Sequence, residues 1–146
     1  MKTKSSLISS FMLLAFIAVA CGGQPGAGAS PAVVEDQASL IEALRASGAN
    51  IELGEPVDQI FFTVRGQIID VNGADVQVFE YESAEVMQAD AAQVAPDGGS
   101  IGTSMVTWIS TPHFYQAGRI LVLYVGDDPA IIELLEGALG PQFAGR

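Results

Sequence analysis

Residues 60–81, IFFTVRGQIIDV-NG-ADVQVFEY, decide the fold class of this 146-residue chain. Two runs rich in β-branched and aromatic residues flank Asn72-Gly73, a dipeptide typical of tight hairpins because both turn positions must accept a positive φ. In the second run Val76 and Phe79 fall on opposite faces, so this strand is expected to be covered on both sides. Gly66 inside the first run predicts a bulge or a close backbone approach. The stretch therefore predicts an antiparallel hairpin at the centre of the fold.

Helical patterns lie on either side of this hairpin. Residues 35–47 (EDQASLIEALRAS) have apolar residues at helical spacing, and a short strand is expected over residues 50–53. Residues 83–94 (SAEVMQADAAQV) follow the hairpin, with Ser83 as the expected N-cap. The turn sequence at residues 96–99 (PDGG) then ends the second helix.

The last third of the chain predicts two more strands and a helix. A strand is expected over residues 104–110 (SMVTWIS) and a turn over residues 111–118. Residues 119–126 (RILVLYVG) are almost continuously apolar, which is typical of a strand buried on both faces. The final helix is expected to begin at Asp127-Asp128-Pro129, because Asp favours the cap position and Pro the first turn.

The resulting order is α-β-β-β-α-β-β-α, which predicts an α+β fold. We expect one domain over residues 34–146, with a mostly antiparallel sheet of about five strands and helices packed on one face. The expected domain is of a common size for a single hydrophobic core.

The sequence after residue 20 is strongly acidic. Four arginines then stand against seventeen acidic residues, which is a formal charge of −13. Such a surface repels nucleic acid and anionic headgroups, so no nucleic-acid partner is expected. Acidity of this kind usually serves solubility, and the alternative is recognition of cations or basic partners.

The N-terminal segment has the layout of a secretory signal peptide. Lys2 and Lys4 precede an apolar run at residues 11–20, and the small residues 18–20 (AVA) stand directly before Cys21. The run is too short for a transmembrane helix, which needs about 20 apolar residues. With Cys21 at this place, residues 1–23 resemble the lipobox of bacterial lipoproteins, although the family most often has Leu where this chain has Ala18.

This resemblance implies how the chain is processed and where it is located. Residues 1–20 would be removed as a signal peptide, and the Cys21 thiol would carry a diacylglyceryl group, with a further acyl chain such as palmitate on the new N-terminus. Residues 21–33 would then be the lipidated cysteine and a flexible tether, because GGQPGAGASPAV has no charge and no periodicity. The domain would face the extracytoplasmic side of the cell membrane, in the periplasm or at the cell exterior. Ordinary secretion, with an incidental Cys21, and an uncleaved anchor remain as alternatives.

Motifs for metals, cofactors and catalysis give little signal. One histidine and no cysteine after Cys21 exclude the usual zinc clusters, and no calcium-loop motif occurs. No G-x-S-x-G elbow surrounds a serine, and the glycine-rich residues 98–102 lack the lysine of a phosphate loop. We therefore expect no metal, no cofactor and no catalytic residue.

Residues 108–115 hold the strongest candidates for a binding site. Trp108, His113 and Tyr115 lie in this short aromatic segment, which either caps the core or forms a binding edge for a ligand or partner protein. Arg65 and Arg119 are rare cations that pair with nearby acids or receive an anionic group.

These observations favour a non-catalytic binding or interaction module of the cell envelope. Its expected partners are the membrane, through a lipid on Cys21, and an envelope protein. The alternative is an envelope hydrolase or metal-dependent enzyme whose site has no recognisable motif.

Overall fold

The computed structural model describes residues 33–145, which form three helices and seven strands. The expected signal peptide, Cys21 and the tether up to residue 32 lie outside the described residues. The helices are α1 (Gln37–Ala46), α2 (Ala84–Ala91) and α3 (Pro129–Leu139). The strands are β1 (Ile51–Val57), β2 (Gly66–Val71), β3 (Ala74–Glu80), β4 (Ser100–Ile101), β5 (Ser104–Met105), β6 (Pro112–Ala117) and β7 (Ile120–Val125). Within this part of the chain, none of the helices is long and apolar enough to span a bilayer.

Five strands form one antiparallel sheet in the order β1-β2-β3-β7-β6. Strands β4 and β5 form a separate small hairpin. The predicted hairpin joins β2 to β3, where Val71 pairs with Ala74 and the turn residues Asn72 and Gly73 have φ angles of 55° and 91°. The α+β class, the five-stranded sheet and the order of the main elements are confirmed.

Three N-caps place the helices where the sequence predicts them. Asp36 accepts a hydrogen bond from the Ser39 amide in a capping box before α1. Ser83 caps α2 by accepting from the Val86 amide. Asp128 caps α3, and Pro129 takes the first helical position, where no amide hydrogen is needed.

The first run of the hairpin begins later than its apolar pattern suggests. Strand β2 starts at Gly66, and residues 58–65 form a loop that folds back over the sheet. A Cβ atom on Gly66 would lie 2.6 Å from the Phe79 ring, which confirms the predicted close approach. The preceding Phe62 covers the same ring at a centroid distance of 4.7 Å. Packing between residues distant in sequence therefore overrides the local strand propensity of this run.

The prediction for residues 104–118 is wrong in its placement of the strand. Only Ser104 and Met105 of the predicted strand are extended, in β5, whereas the predicted turn contains β6. Pro112 is compatible with β6 because it is the first residue of a strand at the edge of the sheet. On β6, Phe114 faces one side of the sheet and Tyr115 the other. The aromatic segment is thus part of the sheet itself.

The two faces of the sheet are covered by different structures. On the face that we call the helix face, α1 and α3 bury Leu40, Leu44, Ile131 and Leu135 against the sheet. On the opposite face, called the loop face, the cover consists of α2, the loop at residues 58–65 and the segment at residues 94–111. The positions of α1 and α3 agree with the expected packing of helices on one side of the sheet. Helix α2 differs, because it lies on the opposite side. The expectation that β3 and β7 are buried on both sides is confirmed.

Candidate functional site

His113 is buried in β6, with 7% of its surface exposed. Its Nδ1 lies 2.6 Å from Oε1 of Gln142, and its Nε2 lies 3.0 Å from the carbonyl oxygen of Gly126. The ring stacks on Tyr124 at a centroid distance of 5.9 Å. The amide nitrogen of Gln142 donates in turn to the Gly145 carbonyl. His113 therefore ties the C-terminal segment to the end of β7, and both of its ring nitrogens are engaged.

Tyr115 is also buried, on the helix face of β6. Its hydroxyl oxygen has no hydrogen-bond partner within residues 33–145. Burial, together with the charge of Glu136, raises the pKa of this hydroxyl to about 12. A docked partner could not reach Tyr115 without displacing α3, so its role in this fold is packing.

Trp108 lies at the base of the loop face and is half-buried. Its indole Nε1 donates to the Gly98 carbonyl at 2.7 Å. The ring packs edge-on against Phe114, at a centroid distance of 5.9 Å, and against Phe61 at 6.2 Å. Trp108 thus joins the two loops of this face to each other and to the sheet.

Serine, histidine and aspartate lie near one another where β7 meets α3, but not in a catalytic order. The Ser110 hydroxyl donates to the Asp127 carboxylate, and the hydroxyls of Ser110 and Thr111 lower the pKa of Asp127 below its usual value. The nitrogens of His113 contact Gly126 and Gln142, so the described hydrogen bonds join no serine to this histidine. A Ser-His pair, the first requirement of triad chemistry, is not formed in this geometry.

The two candidate arginines pair with acids. Arg65 contacts Asp58 at 3.1 Å, and both side chains are largely exposed. Arg119 contacts Glu80 at 2.6 Å and the α1 cap residue Asp36 at 3.7 Å. Glu80 also accepts from the Gln37 amide, so Arg119 fastens the start of α1 to the sheet. The structure thus gives Arg119 a structural role and leaves Arg65 in a solvated pair.

Asp90 on α2 is a buried polar centre that the sequence did not reveal. Its carboxylate accepts from the Thr63 amide at 2.7 Å, the Thr63 hydroxyl at 2.8 Å and the Tyr81 hydroxyl at 3.0 Å. Gln93 donates to its other oxygen at 3.3 Å. Burial and the hydrogen bond from the Tyr81 hydroxyl to Asp90 raise the pKa of Tyr81 far above its ordinary value. Asp90 therefore pins the loop at residues 58–65 to α2.

Three apolar side chains project from the loop at residues 58–65 and from the segment at residues 94–111. Ile60 is 94% exposed, Met105 92% and Ile109 100%, which makes them the most exposed large apolar residues of the described chain. We call these three residues the apolar patch. A sequence signal for it exists, because residues 59–64 and 98–112 contain no charged residue in a strongly acidic chain. The predicted binding site was instead the aromatic segment at residues 108–115, in which His113 and Tyr115 are buried.

Sites for metals or small ligands are not evident elsewhere in residues 33–145. These residues contain no group of three His, Cys, Asp or Glu side chains that could hold a metal ion. A shallow groove of about 440 Å³ runs between α1 and α3, lined by Ser47, Ala130, Glu133, Leu134 and Gly137. Its polar members Ser47 and Glu133 are both exposed, so the groove offers no buried polar group to orient a ligand.

No protein family, curated protein or solved structure was found to match this chain.

Proposed function

We propose that this protein is a lipid-anchored bacterial lipoprotein whose domain works as a non-catalytic interaction module on the extracytoplasmic side of the membrane. One observation carries this proposal: Cys21 stands directly behind a basic, then apolar, then small-residue segment. The lipid on Cys21 would attach the chain to the bilayer. Each buried methylene contributes about 0.8 kcal/mol to such an anchor, so two or three chains hold a protein stably.

The sequence between Cys21 and the domain supports this arrangement. Residues 22–33 are Gly-, Ala-, Pro- and Ser-rich, and the first buried residue of the domain is Val34. Twelve residues reach at most roughly 40 Å when extended. A domain attached in this way stays close to the membrane surface and can turn any of its faces toward it.

The contacts of the polar candidates support a non-catalytic role. His113, Asp90 and Arg119 are each engaged in bonds that hold one element of the fold to another. By contrast, the most exposed apolar side chains lie on two loops that the contact between Phe61 and Trp108 links. An exposed apolar patch on loops is typical of a surface that contacts another body.

Acylation of Cys21 is the direct test of this function. The full chain would be produced in a bacterium fed an alkyne-bearing fatty acid, with the Cys21→Ser variant as the control. We expect label and membrane association in the wild type only, and an N-terminal peptide that begins at a modified Cys21 in mass spectra. An unlabelled wild-type chain with a free Cys21 thiol would contradict the proposal.

The non-catalytic part of the proposal has its own test. His113→Ala should lower stability while leaving any binding to membranes or envelope proteins measurable in the folded fraction. Discovery of a turnover that His113→Ala reduces by orders of magnitude, in protein that is still folded, would favour the hydrolase alternative instead.

A further inference from the structure

The apolar patch belongs to two loops that are fixed in place. Phe61 and Trp108 contact each other edge-on and stand next to Ile60 and Ile109 in the chain. The Trp108 indole is hydrogen-bonded to Gly98, and the Val106 amide donates to Gly99. The patch residues therefore project from loops that are held by the contact between Phe61 and Trp108. Nothing in the fold itself explains why these side chains are exposed.

The two loop stretches that carry the patch, residues 59–64 and 98–112, contain no charged residue, although the Asp127 carboxylate accepts a hydrogen bond from Ser110 beside Ile109. The loop at residues 59–64 (QIFFTV) carries no charge, and it is bracketed by Asp58 and Arg65, which neutralise each other at 3.1 Å. The segment at residues 98–112 (GGSIGTSMVTWISTP) is fifteen residues long and also uncharged. The rest of the chain after residue 20 carries the net charge of −13 and is repelled by anionic headgroups. These two uncharged loops are thus the part of the domain that can approach a bilayer at the lowest electrostatic cost.

The side chains of this segment match the layers of a membrane surface. Ile and Met side chains suit the acyl boundary, and a tryptophan behind them suits the headgroup level, where indoles concentrate. Ser104 and Thr107 lie among the apolar residues and can hydrogen-bond to headgroups. The patch carries no charged side chain that would have to leave water.

We propose that the apolar patch inserts into the surface of the lipid bilayer to which the chain is anchored. This inference rests on the proposed function, since the anchor and the tether of twelve residues supply the proximity. A surface held this close to the bilayer needs only a weak affinity to remain docked, because the tether raises its effective concentration. The two uncharged loops then lie on the membrane, and α1 and α3, on the opposite side of the sheet, point away from it.

A second copy of the chain fits the same patch less well. Two copies would each bring a charge of −13 to the contact, whereas a zwitterionic bilayer brings no net charge. A protein partner would need apolar loops of its own, and nothing in the described chain specifies one. Both occupants are therefore outcomes that the experiment must separate from lipid.

Trp108 is the only tryptophan of the chain and stands at the base of the patch, so it reports on insertion directly. The acylated full chain would be attached to phosphatidylcholine vesicles, with or without bromine atoms high on the acyl chains. Bromine quenches indole fluorescence at close range. We expect quenching of Trp108 in the wild type and loss of quenching in the double variant Ile60→Ser, Ile109→Ser.

The control variant is Leu53→Ser, which removes an exposed aliphatic side chain from β1 instead of from the patch. It should quench as the wild type does. For the double variant we expect the ratio of molecules with the loop face inserted to molecules with the loop face free to fall at least about tenfold. Burying two isoleucine side chains contributes more free energy than a tenfold change in this ratio requires. Co-sedimentation with vesicles should be unchanged in all three, because the acyl chains hold them.

The outcomes separate the anchor from the patch. Chains that co-sediment with vesicles while Trp108 remains unquenched would overturn the insertion and leave the anchor intact. Chains that fail to co-sediment would contradict the proposed function, and the patch would then be judged by Trp108 quenching at high lipid concentration without the anchor. If Trp108 is unquenched in vesicles and becomes shielded only at high protein concentration, or only in membranes that contain native proteins, then a second copy or a protein partner occupies the patch and the lipid proposal fails.

Discussion

The helix face and the loop face bury the same sheet by different means. On the helix face, α1 and α3 cover the sheet with aliphatic side chains, and the polar residues of these helices are directed to solvent. On the loop face, one short helix and two irregular loops do the covering, and they require a buried carboxylate, an indole donor and aromatic edges to hold them. Regular helices satisfy their own backbone groups, whereas loops depend on side chains for this.

This difference indicates where an interaction surface can develop. The helix face owes its stability to apolar packing, and the charged residues of α1 and α3 (Glu42, Arg45, Glu133 and Glu136) are exposed. The loop face presents Ile60, Met105 and Ile109 to the outside, supported by contacts that keep the loops rigid. The two faces are thus built differently, and the loop face is the one that we propose to be the contacting face.

Removing a helix-face side chain should have the largest effect on stability. Leu135 is fully buried between α3 and the sheet. Leu135→Ala is expected to lower the free energy of unfolding by about 2–5 kcal/mol, because it leaves a cavity that the helices cannot fill. Chemical denaturation followed by circular dichroism measures the change. The exposed Leu53→Ala should change stability by less than about 0.5 kcal/mol, and an equal loss in both variants would contradict the proposed core.

Breaking the polar centre of the loop face should have the next largest effect. Asp90→Ala removes the carboxylate that accepts from Thr63 and Tyr81. We expect a loss of about 2–3 kcal/mol, since the buried donors of Thr63 and Tyr81 would be left without an acceptor. Hydrogen exchange should show the greatest loss of protection around residues 60–65 and α2. The matched control is Asp75→Ala at an exposed position, which should change the free energy of unfolding by less than about 0.5 kcal/mol.

One conservative change should act in opposite directions on the two faces. Tyr81→Phe removes a hydroxyl that donates to Asp90 at 3.0 Å, and should cost about 1–2 kcal/mol. Tyr115→Phe removes a hydroxyl that has no partner in the described residues, and should leave stability unchanged or raise it by up to about 1 kcal/mol. Paired denaturation curves measure both. A larger loss from Tyr115→Phe than from Tyr81→Phe would reverse the comparison.

Alkaline pH should reveal the same buried tyrosine with a smaller effect. Because the folded-state pKa of Tyr115 is raised to about 12 from 10.0, its contribution is fully present below pH 10 and is lost as the pH rises toward 12. We expect the free energy of unfolding to fall as the pH passes through this window, and to fall less in Tyr115→Phe. Absorbance at 295 nm distinguishes tyrosines that ionise in the folded state from those that ionise only on unfolding. Identical pH profiles for wild type and variant would contradict the assignment.

Local chemistry made much of the fold predictable from the sequence. The Asn72-Gly73 turn requires positive φ, and Asp36, Ser83 and Asp128 cap helices through bonds to their own neighbours. These features depend on a few adjacent residues. The hairpin, the three helices and the strand at residues 120–125 therefore follow from short stretches of the sequence alone.

Contacts between distant residues decided what the sequence could not predict. The Thr111-Pro112 pair suggested a turn, yet Pro112 opens an edge strand whose pairing with β7 depends on the whole sheet. The loop at residues 58–65 lies over the sheet through Phe62, Gly66 and Phe79, which meet only in the folded chain. Asp90 resembled an ordinary polar residue of a helix, because its three main donors are 9 to 27 positions away.

The candidate site divides in the same way. Trp108 stands at the site, whereas the burial of His113 and Tyr115 removes them from its surface. Burial of a residue in β6 could not be read from a segment predicted to be a turn. Composition alone, through the long uncharged stretch at residues 98–112, would have directed attention to Ile109 and Met105.

A single pair of labels tests the division into supporting and contacting faces most directly. The proposed acylation would block the sulfur of Cys21, the only cysteine of the chain, so an introduced cysteine could be labelled selectively in the acylated protein. An environment-sensitive fluorophore would be attached at Ile109→Cys on the loop face or at Ala130→Cys on the exposed surface of α3. In native membrane vesicles we predict a blue-shifted, lipid-quenchable emission at position 109 and a water-like emission at position 130. Water-like emission at both positions, or shielding of position 130 alone, would contradict this division.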